Sequence, residues 1–211
     1  MRISHFIILL VLPFFYVTAS AQRSWTIKDS TFSFILKIDS IPYNDNSGFY
    51  NTVMSIDVYK IAGYKKIQTI VPPSDNSFES YLDTDQVFII EDMNFDGHSD
   101  IRLLNMLDAR LQSNFNCWLY NPGKGIFERD TTLDGLTNPT FNKKTKKIEA
   151  SEEDGASEQE EYVYHYSPKG KLVLEYQKSV LIDLSGKWKT TTTRKLVNGR
   201  MKETSSTTKN D

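Results

Sequence analysis

The chain consists of short stretches in which apolar and polar residues alternate, separated by turn-forming residues. In the clearest stretch, Phe32, Phe34, Leu36 and Ile38 occupy every second position. Side chains two residues apart lie on the same face of a β-strand, so this stretch predicts a strand with one buried face. Similar stretches recur at short spacing along the chain. The pattern therefore predicts an all-β fold of antiparallel hairpins.

Turn-forming residues predict where several hairpins lie, but they do not predict how the hairpins pack together. Asn198-Gly199, between two strand-like stretches, is the strongest short hairpin signal in the chain. A small propeller-like or twisted-sheet architecture fits these units best, and a β-sandwich is the alternative. The one segment in which a short helix is an alternative to a strand is 103–112, where leucines occur at helix-compatible spacing. We expect a strand followed by a loop there.

A segment dense in oxygen-bearing side chains lies between two strand-like runs, 86–90 and 101–104. Asp92, Asn94 and Asp96 fall at the first, third and fifth positions of the D-x-[DN]-x-[DN]-G calcium-loop pattern. Calcium takes six to eight oxygen ligands and tolerates irregular geometry. A loop with carboxylate and amide oxygens at alternate positions therefore predicts a calcium site.

The remaining positions of the loop complete the predicted ligand set. Gly97 stands where the pattern needs a sharp turn, His98 would contribute its backbone carbonyl, and Asp100 would bind directly or through water. The twelfth position, where an EF-hand carries a bidentate Glu, is Leu103. We therefore predict a β-flanked calcium loop and not a helix–loop–helix sensor. The alternative is a plain turn, which the same residue types also form.

Asp92-x-Asn94-x-Asp96-Gly97-x-x-Asp100 resembles the calcium loop of FG-GAP/VCBS-type β-repeat proteins. The later order of aromatic and turn residues over 116–123, 138–141 and 146–148 is similar to that of a family of calcium-binding bacterial periplasmic proteins. Some members are immunity proteins that neutralise secreted peptidoglycan-cleaving effectors. The resemblance covers roughly residues 50–185.

This resemblance implies a fold similar to the periplasmic inhibitors of invertebrate-type lysozyme. In such inhibitors a Ser-Gly-x-x-Tyr loop enters the enzyme cleft. This chain has Ser47, Gly48 and Tyr50 in a loop that is one residue shorter. These three residues are the candidates for partner binding that the resemblance implies.

Residues 1–21 have the pattern of a secretory signal peptide, with Arg2, an apolar run and an Ala-x-Ala end. We expect an exported protein, periplasmic or secreted, with one all-β calcium-binding domain over 22–204 and a polar tail over 205–211. No segment is apolar enough to predict a transmembrane span. The formal net charge of −2 gives no reason to expect nucleic acid as a partner.

Six of the ten residues from 152 to 161 are acidic. We predict a solvated loop there, and the alternative is a negative surface for a basic partner, such as a peptidoglycan hydrolase. The sequence offers no recognisable catalytic motif. His165, between two tyrosines, is expected on a surface or in sheet packing, and Cys117 as a small buried residue.

We therefore expect a non-enzymatic calcium-binding protein that binds, and inhibits, a partner protein such as a peptidoglycan hydrolase. The alternative function is an envelope or surface module that binds glycan or matrix. Its candidate contact residues are Trp25, Trp118 and Trp188. A hydrolase is the third and least favoured hypothesis. The sequence does not predict an oligomeric state.

Overall fold

The computed structural model describes residues 23–45, 48–73 and 76–210. Strands account for 62% of the structure and helices for 6%, which confirms the predicted all-β class with antiparallel hairpins. The predicted signal peptide, 1–21, and the candidate residue Ser47 lie outside the described residues.

The first sheet contains the stretch with the clearest alternation. Its strands are β1 (Arg23–Lys28), β2 (Phe32–Pro42), β3 (Phe49–Lys60), β4 (Lys65–Ile70) and β5 (Ser77–Glu79). β1 to β4 are neighbours in chain order, and β5 pairs with β3 beyond the end of β4. The alternating Phe32, Phe34, Leu36 and Ile38 of β2 are all buried, as predicted.

The second sheet carries the predicted calcium loop. It contains β6 (Phe88–Glu91), β7 (Asp100–Leu107), β8 (Ser113–Asn121) and β9 (Ile126–Arg129), in chain order. Two single-turn helices, α1 (Thr84–Val87) and α2 (Thr131–Asp134), precede β6 and follow β9. The expected strand and loop over 103–112 are confirmed, because β7 ends at Leu107 and a turn follows.

The predicted strand over 86–90 starts too early, because its first two residues belong to α1. The Asp83 side chain accepts from the backbone of Gln86, and the Gln86 side chain accepts from the backbone of Asp83, 2.9 Å away. This reciprocal capping box stabilises a helical turn. None of the helices in the described part of the chain has the length and apolarity needed to cross a membrane.

The third sheet is a six-stranded meander in chain order. Its strands are β10 (Thr140–Asn142), β11 (Lys147–Asp154), β12 (Glu158–Tyr166), β13 (Leu172–Ile182), β14 (Trp188–Val197) and β15 (Arg200–Lys209). Asn198-Gly199 forms the predicted hairpin turn, with both residues at positive φ. β15 includes residues 205–209, which the sequence analysis placed in a polar tail.

The prediction of a loop over 152–161 is wrong, because this acidic segment is the end of β11, a turn at Gly155 and the start of β12. Glu152 pairs across the strands with Glu160, and Asp154 with Glu158. Like charges directly opposite one another are destabilising. Both strand ends are solvent-exposed enough for water to screen these charges, and the backbone ladder continues through them.

The first and second sheets pack face to face through aromatic side chains. The Phe32 ring lies 5.1 Å from that of Phe127 and 4.9 Å from that of Tyr120, between ring centroids. Phe34 contacts Phe88 at 5.3 Å. Aromatic rings in such tilted and edge-on contacts add to the free energy of area burial. This aromatic layer fixes the second sheet, and with it the predicted calcium loop, against the first.

A candidate calcium loop between β6 and β7

The predicted calcium loop connects two paired strands. Glu91 at the end of β6 pairs with Asp100 at the start of β7, so residues 92–99 form the connection. Met93 is fully buried and Phe95 packs against the core. These two apolar side chains anchor the loop from below, while the alternate Asp92, Asn94 and Asp96 lie in its more solvent-accessible part.

The first three predicted ligands form one hydrogen-bond network. The two carboxylate oxygens of Asp92 accept from the backbone amides of Asp96 and Gly97, each at 3.1 Å. The Asn94 side-chain amide donates to Asp96 Oδ2 at 3.0 Å, and its oxygen accepts from the Asp96 amide at 3.0 Å. The amide of His98 donates to Asp96 Oδ1 at 2.9 Å. The structure thus brings these three side chains together.

Gly97 provides the sharp turn that the pattern requires. Its φ is +90°, in a region that glycine adopts without steric cost and other residues adopt rarely. A Cβ at this position would have open space around it, so any penalty for substitution comes from the backbone conformation.

Asp100 lies beneath the loop and is completely buried. Its two oxygens accept from the backbone amides of Met93 and Tyr120, each at 2.8 Å. Burial raises the pKa of this carboxyl to about 6, and the nearby negative charge of Asp96 also raises it, while the amide donors oppose the change. Asp100 therefore fixes the start of the loop to the adjacent strand β8.

Tyr120 helps to position Asp100, a role that no local sequence pattern indicates. The two residues are twenty positions apart, and the contact uses the backbone amide of Tyr120. Only the pairing of β7 with β8 brings that amide to the loop. The Tyr120 ring also contacts the imidazole of His98 edge-on, at 5.7 Å between ring centroids.

The donor set fits a hard cation that prefers oxygen ligands. Each carboxylate oxygen that accepts one amide retains a second lone pair, so Asp92 and Asp96 can bind an ion within this network. Within the described residues, no three or more His, Cys, Asp or Glu side chains are grouped as a metal site. The amide oxygen of Asn94 and the backbone carbonyl of His98 would therefore have to complete the ligand set. Calcium there would supply positive charge that offsets the repulsion among the carboxylates.

The candidate partner-binding residues lie on the first sheet. The Tyr43 amide donates to the carbonyl of Gly48 at 2.9 Å, which closes the loop between β2 and β3. Tyr50 follows on β3, and its ring centroid lies 5.8 Å from that of Tyr43. The structure therefore places Gly48 and Tyr50 beside Tyr43, and the calcium loop in a different sheet.

The three tryptophans occupy different environments. Trp118 is buried in β8, and Trp25 packs against Phe78 at 5.6 Å between ring centroids. Trp188, at the start of β14, is 52% exposed. Trp188 is therefore the one of the three whose ring is presented to a ligand from solution.

The surroundings of Cys117 and His165 indicate structural roles for both residues. Cys117 is fully buried, and burial raises the pKa of its thiol, so it has little thiolate character. The Nδ1 atom of His165 lies 3.5 Å from a carboxylate oxygen of Glu175, whose other oxygen pairs with Lys147 at 2.6 Å. This group joins strands β11, β12 and β13.

The chain matches no protein-family model, no curated protein and no solved structure.

Proposed function

We propose that this is an exported, non-enzymatic calcium-binding protein that binds and inhibits a partner protein such as a peptidoglycan hydrolase. The observation that carries the calcium assignment is the network of Asp92, Asn94 and Asp96, with buried Asp100 beneath it. The signal-like segment 1–21 supports the assignment to the envelope, as does the similarity of the residue order over 116–123, 138–141 and 146–148 to that of periplasmic calcium-binding proteins.

The role of the ion in this proposal is structural. Asp92 and Asp96 lie in one network, and the charge of Asp96 raises the pKa of Asp100. A divalent cation removes this repulsion and links β6 to β7. Loops on the same scaffold are then held in one conformation for the partner, which lowers the entropy cost of association.

Calcium binding is tested by calorimetric titration of the purified protein, with thermal melts in calcium and in chelator. Wild type is expected to give a binding heat and a higher melting temperature in calcium. Asp96→Ala is expected to lose both. Asp183→Ala is the matched control, because Asp183 also accepts backbone amides in a hairpin turn, at Lys187 and Trp188. A calcium response that survives in Asp96→Ala contradicts the assignment.

Inhibition is tested against a panel of purified secreted lysozymes and peptidoglycan amidases, by the clearing of cell-wall suspensions. At least one enzyme is expected to be inhibited with 1:1 stoichiometry, and more weakly in chelator. Cell-wall clearing by the purified protein alone would show an enzyme and would overturn the proposal. Absence of inhibition across the panel would remove the hydrolase as the partner.

The exposed ring of Trp188 favours one other function, an envelope module that binds glycan. Aromatic faces are common contact surfaces for apolar and polar ligands alike. Retention on a glycan array that is lost in Trp188→Ala, and kept in Trp25→Phe, would support this function over protein binding.

A further inference from the structure

A groove of about 840 Å³ lies between the first and second sheets. Residues of β3 and β5 line one side, and the last residues of β7, including Met106, line the other. Val53 and Phe78 are buried at its base. This volume lies within the range of pockets that bind small-molecule ligands.

Three apolar residues of this groove are exposed to solvent and form its apolar rim. Met54 and Met106 are each 51% exposed, and Val71 is 75% exposed. Neighbouring exposed apolar side chains mark interaction surfaces. Methionine side chains adapt to the shape of what they contact. The rim is therefore suited to apolar side chains of a partner.

Among the described residues that line the groove, one carboxylate lacks a cationic partner. The side chain of Asn76 is buried and hydrogen-bonded within the protein, since it accepts from the Val53 amide at 2.8 Å and donates to the Pro73 carbonyl. Glu79 is the one charged residue among the described residues that line the groove. Tyr43 donates to Glu79 Oε2 at 2.6 Å, and no basic side chain in the described part of the chain pairs with this carboxylate.

Two tyrosines lie next to Glu79. Tyr50 is opposite Glu79 in the β3–β5 register, and the rings of Tyr43 and Tyr50 are 5.8 Å apart between centroids. An unpaired carboxylate beside aromatic faces attracts an ammonium or guanidinium group by charge and by cation–π interaction.

We propose that this groove binds a short segment of the partner protein, in which a Lys or Arg pairs with Glu79 and adjacent apolar side chains contact the methionine rim. The inference rests on the proposed function of binding a partner protein, and it names the chemistry of the partner's segment. Apolar contact supplies most of the affinity, and the Glu79 pair selects for a basic residue.

The four methionines that follow the signal-like segment provide the probes for a test. Met54 and Met106 line the groove, Met93 anchors the calcium loop, and Met201 lies on the exposed strand β15. Protein labelled with ¹³C at the methionine methyl groups is titrated with three end-capped pentapeptide libraries. The libraries differ only in a central Lys, Gln or Glu between randomised apolar positions.

The Lys library is expected to shift the methyl signals of Met54 and Met106 and to leave Met201 unchanged. The Gln library is expected to bind about tenfold more weakly, and the Glu library more weakly still. Glu79→Gln is expected to abolish the preference for Lys, because it removes the charge and keeps an acceptor for Tyr43. Glu128→Gln, at an exposed acid on β9, is the matched control and is expected to keep the preference.

Three outcomes would overturn the inference. They are the absence of shifts at Met54 and Met106 with all libraries, equal binding of the three libraries, and binding of free butylamine as tight as that of the Lys peptides. The last outcome would assign the groove to small amines. Calcium added to the same sample reports separately at Met93, so a failed groove and a failed calcium site are distinguished.

Discussion

The guanidinium group of Arg102 lies over the ring of Phe115, 4.3 Å from its centroid. Its Nε is 2.6 Å from Glu91 Oε1, and its Nη1 donates to the Pro139 carbonyl at 3.1 Å. A second ring, Phe141 of β10, lies 5.4 Å from the guanidinium carbon. Arg102 belongs to the second sheet and Phe141 to the third, so this one side chain links the two sheets.

Arg102→Lys is expected to lower the free energy of unfolding by about 2 kcal/mol, although the charge is kept. A lysine keeps neither the planar stacking on two rings nor the forked contacts to Glu91 and Pro139. Urea denaturation measures the change. Arg194→Lys, in an exposed pair with Glu203, is the control, with an expected change below about 0.5 kcal/mol. Equal effects of the two substitutions would contradict the linking role of Arg102.

Because of Asp57, the stability of the first sheet is expected to fall at acid pH. Its side chain is 7% exposed, and Lys66 and Lys37 lie 2.6 and 3.1 Å from its oxygens. The Lys66 contact, with hydrogen bonds from Thr69 and Lys37, lowers the pKa of Asp57 to about 2, against the opposing effect of burial. Because the pKa of the folded state is the lower one, the stabilisation is present above pH 4 and is lost as the pH falls towards 2.

Asp57→Asn is therefore expected to lower stability at neutral pH and to flatten the loss of stability between about pH 4 and pH 2. Urea midpoints measured across this range test the expectation. Glu149→Gln, at an exposed carboxylate on β11, provides the comparison. If the acid profile of Asp57→Asn is parallel to that of wild type, this carboxylate does not cause the dependence.

Gly97→Ala is expected to cost about 1 kcal/mol of stability in chelator, because alanine is strained at a φ of +90°. Gly199→Ala, at a φ of +75° in the β14–β15 turn, is expected to have a similar cost. The two variants are expected to differ in calcium. If the loop binds calcium as proposed, wild type and Gly199→Ala are expected to gain about 2.7 kcal/mol at a calcium concentration a hundred times the Kd, and Gly97→Ala is expected to gain less.

Melting temperatures at matched calcium concentrations measure these gains. An equal calcium gain in both glycine variants would show that the turn at Gly97 does not support ion binding.

Phe34→Ala is expected to cost about 3–5 kcal/mol, because it opens a cavity in the aromatic layer between the first two sheets. Phe34 is fully buried and contacts Phe88 and Phe127 at 5.3 and 5.6 Å between ring centroids. Tyr81→Ala removes an aromatic ring that is 73% exposed, and is expected to cost less than about 0.5 kcal/mol. Calorimetric melts of both variants test the difference.

Period-two alternation predicted the parts of the fold in which strands bury one apolar face. Phe34 and Leu36 of β2 are fully buried, as their spacing required. The third sheet gave a weaker signal, because β14 and β15 are rich in Thr and Ser, and their hydroxyls pair across the strands, as between Thr190 and Thr207 at 3.0 Å. Such strands are held by backbone ladders and polar pairs, which hydrophobic periodicity does not detect.

The candidate binding sites likewise include one part that the sequence predicted and one part that it did not. The spacing of Asp92, Asn94 and Asp96 predicted that these side chains lie together, because they are local in sequence, and the structure brings them into one network. The groove depends on β3 and β7, which belong to different sheets. No local pattern brings Glu79 and Met106 into one groove across that distance in sequence, so only Tyr50 of the groove could be singled out from the sequence.

The strand order of the three sheets bears on how the chain folds as it emerges from its N-terminal end. Apart from the β3–β5 pairing, each described pair of strands is adjacent in sequence, so each closes only a short loop at a small entropic cost. The first sheet can therefore form as soon as β5 has emerged. Its aromatic face, with Phe32 and Phe34, has no cover until β6 to β9 follow. After the first sheet has formed and before the second has followed, the chain is most prone to aggregate and most dependent on a chaperone.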